Sequence, residues 1–590
     1  MTPPPASELL QQALGHHAKG QLQQAHDLYQ EILESDPENP QALHLLGVIA
    51  HQMGRDDLAL DMIRLALVFK PDYAEAYNNM GSIQCRSGQW DAARTSLQSA
   101  LAIQHSYPEA LNNLGNVFKE LQQWDEAVAS YRRALALRPD YAEAWSNLGM
   151  ACRHQGRLDE AVDHLQKSVE LAPDRFEYHL NLGNILRSCK RWDQAVASYR
   201  QAVRLQPASA EALVNLGNAL VEIGRADEGV THLCRGLERN DSLAKGHFNL
   251  GNAYHQLLQP RNAVIAYQKA LDLQPDFPDA SYNKAMSHLL AGDFQEGWRL
   301  YEWRWQTEGF LPHNRPEPPW HGTELAGKTL LIHCEQGFGD SIQFIRLVPF
   351  IQAFGGRVVL LCPPALTRLF ATVRGIDHLV DDPNQLPACD YQIPLLSLPN
   401  VLGITLETIP SAIPYLTVDP ELKDCCQQQF RDLSGIRVGV VWHGDARHGN
   451  DRNRSMTANT MARLQRRTNH ALISLQKDAR PEELAHWPGT IRHSGEWLVD
   501  FAHTAAVIAN LDLVVGVDTA VIHLAGALGC PTWVLLPRVP DWRWLLDRTD
   551  SPWYPSMRLF RQKVPGEWDG VLDEIGQALQ SERLIRQDNR

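Results

Sequence analysis

The sequence has little cysteine, and none of it is grouped for chemistry. Ten cysteines are scattered over 590 residues, with no Cys-x-x-Cys pair and no zinc-type spacing to histidine. Thiols spread in this way exclude a disulfide scaffold and point to a reducing compartment, so a cytoplasmic protein without a metal site is expected. Basic charge is also scarce: 55 Lys and Arg face 69 Asp and Glu, a net charge of −14. A general nucleic-acid binder would carry a basic face, so no nucleic-acid partner is expected. The N-terminal MTPPPASELL lacks the basic-then-apolar pattern of a signal peptide. No run approaches the ~18 apolar residues of a membrane-spanning helix, so no transmembrane segment is expected. Two phosphate-binding signatures are missing as well. There is no Gly-x4-Gly-Lys-Ser/Thr loop, which argues against a nucleoside triphosphatase. In the turn Glu335-Gln336-Gly337-Phe338-Gly339-Asp340, Ile342 stands where a dinucleotide fingerprint needs its third glycine, which argues against a nicotinamide enzyme.

What is present begins with a repeat. Gly47, Gly81, Gly115, Gly149, Gly183, Gly217 and Gly251 recur every 34 residues. Pro37, Pro71, Pro139, Pro173, Pro207 and Pro275 keep the same step, as do Ala25, Ala59, Ala93, Ala127, Ala161, Ala195 and Ala263. This pattern resembles the tetratricopeptide repeat, a helix–turn–helix unit in which small residues let two helices approach and proline ends the second. About eight repeats are expected over Ala6–Pro275 and a degenerate ninth over Asp276–Trp305. Trp90, Trp124, Trp192 and Phe294 share a register that reads as core.

Asparagine keeps the same step: Asn79, Asn113, Asn147, Asn181, Asn215, Asn249 and Asn283, each in the first helix of its unit. Asn116, Asn184, Asn218 and Asn252 lie three residues beyond members of that set, on the same helical face. A side-chain amide both donates and accepts, so a ladder of them suits capture of an extended polypeptide along the inner face of the solenoid. Packing between repeats would use the same amides. The aromatic stretch Gly297–Trp305 is expected to cap the array and dock it on the next domain, and Thr307–Trp320 reads as an extended, proline-rich linker.

From Lys328 the period changes to short apolar strands alternating with helices, the pattern of parallel sheets covered on both faces. Strands are expected at Thr329–Cys334, Arg357–Cys362, Arg437–Trp442, His470–Gln476, Asp512–Val517, Pro531–Leu536 and Met557–Arg561, with helices at Asp340–Ala353, Pro364–Val373, Asp500–Asn510 and Trp568–Leu579. The fold class is therefore α + α/β, an N-terminal α-solenoid followed by two Rossmann-like halves. The expected boundaries are 6–305 for the solenoid, 306–327 for a linker, 328–420 for the first half and 435–580 for the second. Asp340 ends the glycine-rich turn and reads either as a helix cap or as a carboxylate presented for chemistry. In the second half, Asp518 and Thr519 stand between a buried strand and the helix Thr519–Leu528, and a helix start there is an anion site. The loop from Trp442 offers Arg447, His448, Arg452 and Arg454, and Gln476 and Lys477 come after another strand at the same sheet edge.

The segments WHGDARHGNDRNRSM, ISLQKD, DFAHTAAVIANLDLVVGVDTAVIHLAGALG and PDWRWLLDRTDSPWYPSMRLFRQ resemble bacterial tetratricopeptide proteins fused to a family 9 glycosyltransferase domain, whose members include heptosyltransferases. The resemblance covers Gly297 to about Leu579 and implies a GT-B fold. The overall plan is also similar to O-GlcNAc transferase. Carried over, the resemblance implies Asp340 as general base. It sets Arg447, Arg452 or Arg454 on the donor phosphates in place of the lysine of the heptosyltransferases. Asp518, Thr519, Ala520 and His523 would meet the diphosphate and sugar, with Gln476 and Lys477 near the nucleotide. The implied activity is inverting, metal-independent and cofactor-free transfer from a nucleotide sugar to an acceptor hydroxyl, on a protein recruited by the solenoid. Two alternatives stand beside it: a glycan or lipid-linked acceptor, and an interaction scaffold with a silent α/β part.

Overall fold

The computed structural model describes residues 6–308, 310, 315–433, 435–447, 449–468, 470–485 and 487–587. His448 of the basic loop, residues 309 and 311–314 of the expected linker, and residues 1–5 lie outside the described residues. Two compact units divide the chain, Met1–Asp241 and Ser242–Arg590.

The first unit is a run of antiparallel helix pairs, from Ala6–Ala18 with Leu22–Ser35 to Ala210–Glu222 with Ala226–Arg239. The periodic glycine sits where the two helices of a pair touch. A Cβ on Gly115 would lie 2.5 Å from Tyr131 Cε1, and one on Gly149 would lie 2.7 Å from Leu165 Cγ. The periodic alanines of the second helices, Ala59, Ala93, Ala127, Ala161 and Ala195, are fully buried. Any larger side chain at either position would push the helices apart. No helix among the described residues is long and apolar enough to cross a membrane.

The second unit opens with two further pairs, Ala244–Gln256 with Pro260–Leu273 and Pro278–Leu290 with Phe294–Tyr301, followed by a 3-10 turn at Glu302–Gln306. Strands β1 (Thr329–His333), β2 (Arg357–Leu361), β3 (His378–Val380) and β4 (Tyr391–Pro394) form a parallel sheet in the order β3-β2-β1-β4. Strands β5 (Arg437–Val441), β6 (Ala471–Ser474), β7 (Ile491–His493), β8 (Leu513–Val517), β9 (Thr532–Leu536) and β10 (Met557–Arg561) form the second, in the order β10-β9-β8-β5-β6-β7. All of its pairings are parallel. Counted from β5, this is the doubly wound order 3-2-1-4-5-6, and ligands of such sheets bind outside the carboxyl ends of the strands where the order reverses, here β5 and β8.

Aromatics seat the last helix pair on the α/β part. Trp298 packs edge-on against Phe344 and Trp542, and Phe294 lies 5.9 Å from Trp553. Within the α/β part, Arg346 donates to the carbonyls of Trp553 at 2.6 Å and Pro410 at 3.1 Å, and Tyr415 Oη donates to Ile342 O at 2.9 Å.

The helix expected over Asp340–Ala353 is corrected. It is a short α-helix, Phe338–Phe344, continued as a 3-10 helix, Ile345–Phe354. Pro349 lies within that stretch and has no N–H to close an α-helical bond to Ile345. The end of the linker is extended against β4, where Trp320 N donates to Gln392 O at 2.8 Å. Elsewhere the elements differ from expectation mainly at their ends: β6 stops at Ser474, and the last helix is Asp569–Gln587.

Candidate functional site

Two helix starts converge at the centre of the α/β part. One is Phe338–Phe344, entered from β1 through the glycine-rich turn; the other is Ala520–Ala527, entered from β8. A Cβ on Gly339 would lie 2.9 Å from His523 Cδ2 and 3.6 Å from Ala520 N. Only a residue without a side chain allows this approach, which brings Asp340, Thr519, Ala520 and His523 into one neighbourhood.

Asp340 is both a cap and an ion-pair partner. Its Oδ2 accepts from Gly337 N at 3.1 Å and its Oδ1 from Arg543 Nη2 at 2.6 Å. Arg543 was not among the residues expected at the site. It comes directly after Asp541-Trp542, 203 residues beyond Asp340, and only the segment PDWRWLLDRTDSPWYPSMRLFRQ hinted at it. Its Nε donates to Gln343 at 2.7 Å, and its Nη1 pairs with Asp541 at 2.8 Å. Burial opposes the charge on Arg543, but Asp541, Asp340 and Asp518 outweigh it and hold the guanidinium protonated. Burial pushes the Asp541 carboxyl up, with Arg543 opposing. Asp518 accepts from Trp544 Nε1 at 2.8 Å and faces His523 Nε2 at 3.4 Å. Burial would raise its pKa; His523, Arg543 and Trp544 hold it well below the usual carboxylate range. His523 is fixed from its other nitrogen by Tyr554 Oη at 2.9 Å and stacks on Trp544.

Thr519 is the backbone N-cap of its helix, with φ −147° and ψ 168°, but its side chain does not cap. The hydroxyl is buried and has no hydrogen-bond partner among the described residues. A buried unpaired hydroxyl beside free helix N–H groups is a polar surface suited to an anion.

The remaining donor candidates differ in their commitments. Gln476 brackets the end of β5: its Oε1 accepts from Trp442 N at 3.3 Å and His443 N at 3.2 Å, and its Nε2 donates to Asp478 at 2.8 Å. Lys477 is exposed and donates to Val499 O at 3.0 Å. Arg447 is 91% exposed and pairs with Asp445, whose pKa it lowers to about 2. Arg452 is exposed. Arg454 is largely buried against Gly444 and Asp451, so of the three it is the one held at the carboxyl end of β5. Among the described residues, no side-chain hydrogen bond joins these arginines to Asp340, Asp518 or Thr519.

The repeated asparagines are half-buried, and several serve repeat packing. In the first unit, Asn113 Nδ2 donates to Asn78, Asn147 to Asn112 and Asn215 to Asn184, at 3.0–3.1 Å, and Asn79 meets His44 at 2.9 Å. In the second, Asn283 donates to Asn252 at 3.0 Å, while Asn249 shares the face. Asn181 is likewise half-buried. The second asparagine set braces tyrosines: Tyr131 Oη donates to Asn116, Tyr199 to Asn184 and Tyr267 to Asn252, at 2.7–2.8 Å. Each amide that donates along the array through one N–H has a second N–H, and the Asn215 oxygen accepts from Arg187 Nη1 at 3.3 Å.

One group with metal-ligand chemistry occurs among the described residues, Cys152, Glu160 and His164, with atoms within 4.8 Å of one another. Arg157 takes both carboxylate oxygens of Glu160, which leaves that group an ion pair.

Family models described as tetratricopeptide repeat match residues 16–80, 72–140, 112–176 and 244–277, and one described as TPR repeat matches 183–224. The N-terminal array therefore consists of tetratricopeptide repeats. Protein FlbA of Caulobacter vibrioides is 26% identical over 381 residues, covering 54% of this chain. The chain spans 64% of FlbA's length. Among solved structures, YrrB, a TPR protein with an unusual peptide-binding site, is 23% identical with a TM-score of 0.30, over 32% of this chain and 97% of YrrB. MamA is 28% identical with a TM-score of 0.25, over 27% of this chain and 93% of MamA.

Proposed function

We propose that the protein is a glycosyltransferase that moves a sugar from a nucleotide-sugar donor to an acceptor hydroxyl, with the tetratricopeptide array recruiting a protein acceptor. The observation that carries this reading is the close approach of Gly339 to the start of helix Ala520–Ala527, which sets a carboxylate beside a free helix N-terminus. The GT-B assignment belongs to the same proposal and is supported by two parallel sheets, the second in doubly wound order.

In the reaction, Asp340 takes the proton of the acceptor hydroxyl on a lone pair not used by Gly337 or Arg543. The acceptor oxygen forms its bond to the anomeric carbon, the bond from that carbon to the phosphate oxygen breaks, and the electron pair leaves with the nucleoside diphosphate. The growing phosphate charge falls on the N–H groups at Thr519–Ala520, the unpaired Thr519 hydroxyl and Arg454. Fixed donors of this kind contribute roughly 3–4 kcal/mol each.

The test is nucleoside diphosphate release from a panel of nucleotide sugars. Asp340→Asn is expected to lower turnover by at least ~100-fold while diphosphate affinity stays unchanged. Normal turnover in that variant removes Asp340 from the mechanism. The scaffold reading draws on a separate observation, that Asp518, Thr519 and His523 are all buried. Failure of every donor to bind favours it.

A further inference from the structure

The glycine-rich turn contains a residue in an unfavourable conformation. Gln336 has φ +59°, the left-handed region that a residue with a Cβ adopts at a cost. The groups that hold it there come from the end of the repeat array. Gln336 Nε2 donates to Tyr301 Oη at 3.0 Å. One residue earlier, Glu335 accepts from Arg304 Nη2 at 2.9 Å, and that guanidinium also donates to Ser397 at 2.7 Å and to Glu302 at 3.0 Å. The Arg304–Glu335 pair is sealed from solvent, with side chains 0% and 2% exposed. A buried ion pair of this kind fixes geometry more than it adds stability.

From these contacts we infer that Tyr301 and Arg304 are positioning residues that clamp the strained turn Glu335–Gly337, so that Asp340 reaches the start of helix Ala520–Ala527. The last helix pair is then part of the site. This inference rests on the glycosyltransferase reading for its consequence, but the clamp is measurable without it.

The experiment is hydrogen exchange on the full chain, comparing wild type, Tyr301→Phe, Gln336→Gly and the double variant. Tyr301→Phe removes one hydroxyl and should speed exchange at Gly337–Ile342 about fivefold, the release of roughly one left-handed residue's strain. Exchange in Ala520–Ala527 stays as in wild type. Adding Gln336→Gly, which accepts the left-handed backbone without a clamp, should return the turn to within about twofold of wild type. A plain packing role for Tyr301 would not be rescued by that change. Unaltered exchange in Tyr301→Phe, or no rescue, overturns the clamp. With any nucleotide sugar that wild type turns over, Tyr301→Phe lowers kcat and leaves donor KM unchanged. Should wild type turn over no donor while the exchange pattern holds, the clamp stands and the glycosyltransferase reading falls.

Discussion

Gly339→Ala adds one carbon at the tightest contact between the two helix starts. That carbon would lie 2.9 Å from His523 Cδ2, inside ordinary contact distance, and 3.5 Å from Ala520 Cα, which is not. The strain therefore falls on the imidazole. His523 has little room to yield, because Tyr554 holds Nδ1 at 2.9 Å, Asp518 faces Nε2 at 3.4 Å and Trp544 covers the ring. A shift of several tenths of an ångström weakens the Tyr554 bond, worth about 1 kcal/mol, and overpacking at buried sites costs about 1–3 kcal/mol. Local opening of Ala520–Ala527 should then become roughly 5- to 100-fold more frequent, read as faster amide exchange. Gly337→Ala is the control. Its Cβ would meet Asp340 Oδ2 at 3.2 Å and Gly339 N at 3.9 Å but no atom of the second helix, and its φ of −80° suits any residue, so exchange in that helix should not change. Equal behaviour of the two variants would mean that the helices do not meet at Gly339.

The buried polar groups lead to two further outcomes. Burial raises the Glu335 pKa to about 7 against the pull of Arg304. A carboxyl raised on folding stabilises fully below its unfolded value and loses that contribution as pH climbs to its folded one. Wild type should therefore lose on the order of 3 kcal/mol between pH 4.5 and 7 relative to Glu335→Gln, and parallel urea midpoints across that range would contradict this. In the repeats, Asn184 Oδ1 accepts from both Tyr199 Oη and Asn215 Nδ2. Asn184→Ala strands the hydroxyl of the fully buried Tyr199 and should cost about 2 kcal/mol, against about 1 for Tyr199→Phe, read from the denaturant midpoint of the helical signal.

The sequence revealed whatever had a period or a local signature. The 34-residue step of glycine and alanine marks the helix contacts because each repeat solves the same packing problem. The strand–turn–helix at Asp512–Leu528 was visible because β8 is buried on both faces and reads as a continuous apolar run. Long-range pairing carries no such signal. Nothing local announces that Arg543 holds Asp340, that Tyr301 holds Gln336, or that Gln476 closes the end of β5. The ladder asparagines were found by period, but their partners sit 31 or 35 residues away in the preceding repeat, which a one-dimensional pattern does not distinguish from a free binding face.

The central claim is that the start of helix Ala520–Ala527, beside Asp340, grips a diphosphate. Hydrogen exchange with and without a nucleoside diphosphate panel at millimolar concentration tests it directly. The account predicts protection at the amides of Thr519–Ile522, with the turn Gly337–Asp340 slowed alongside. Binding that protects other segments and leaves both of these unchanged would contradict it.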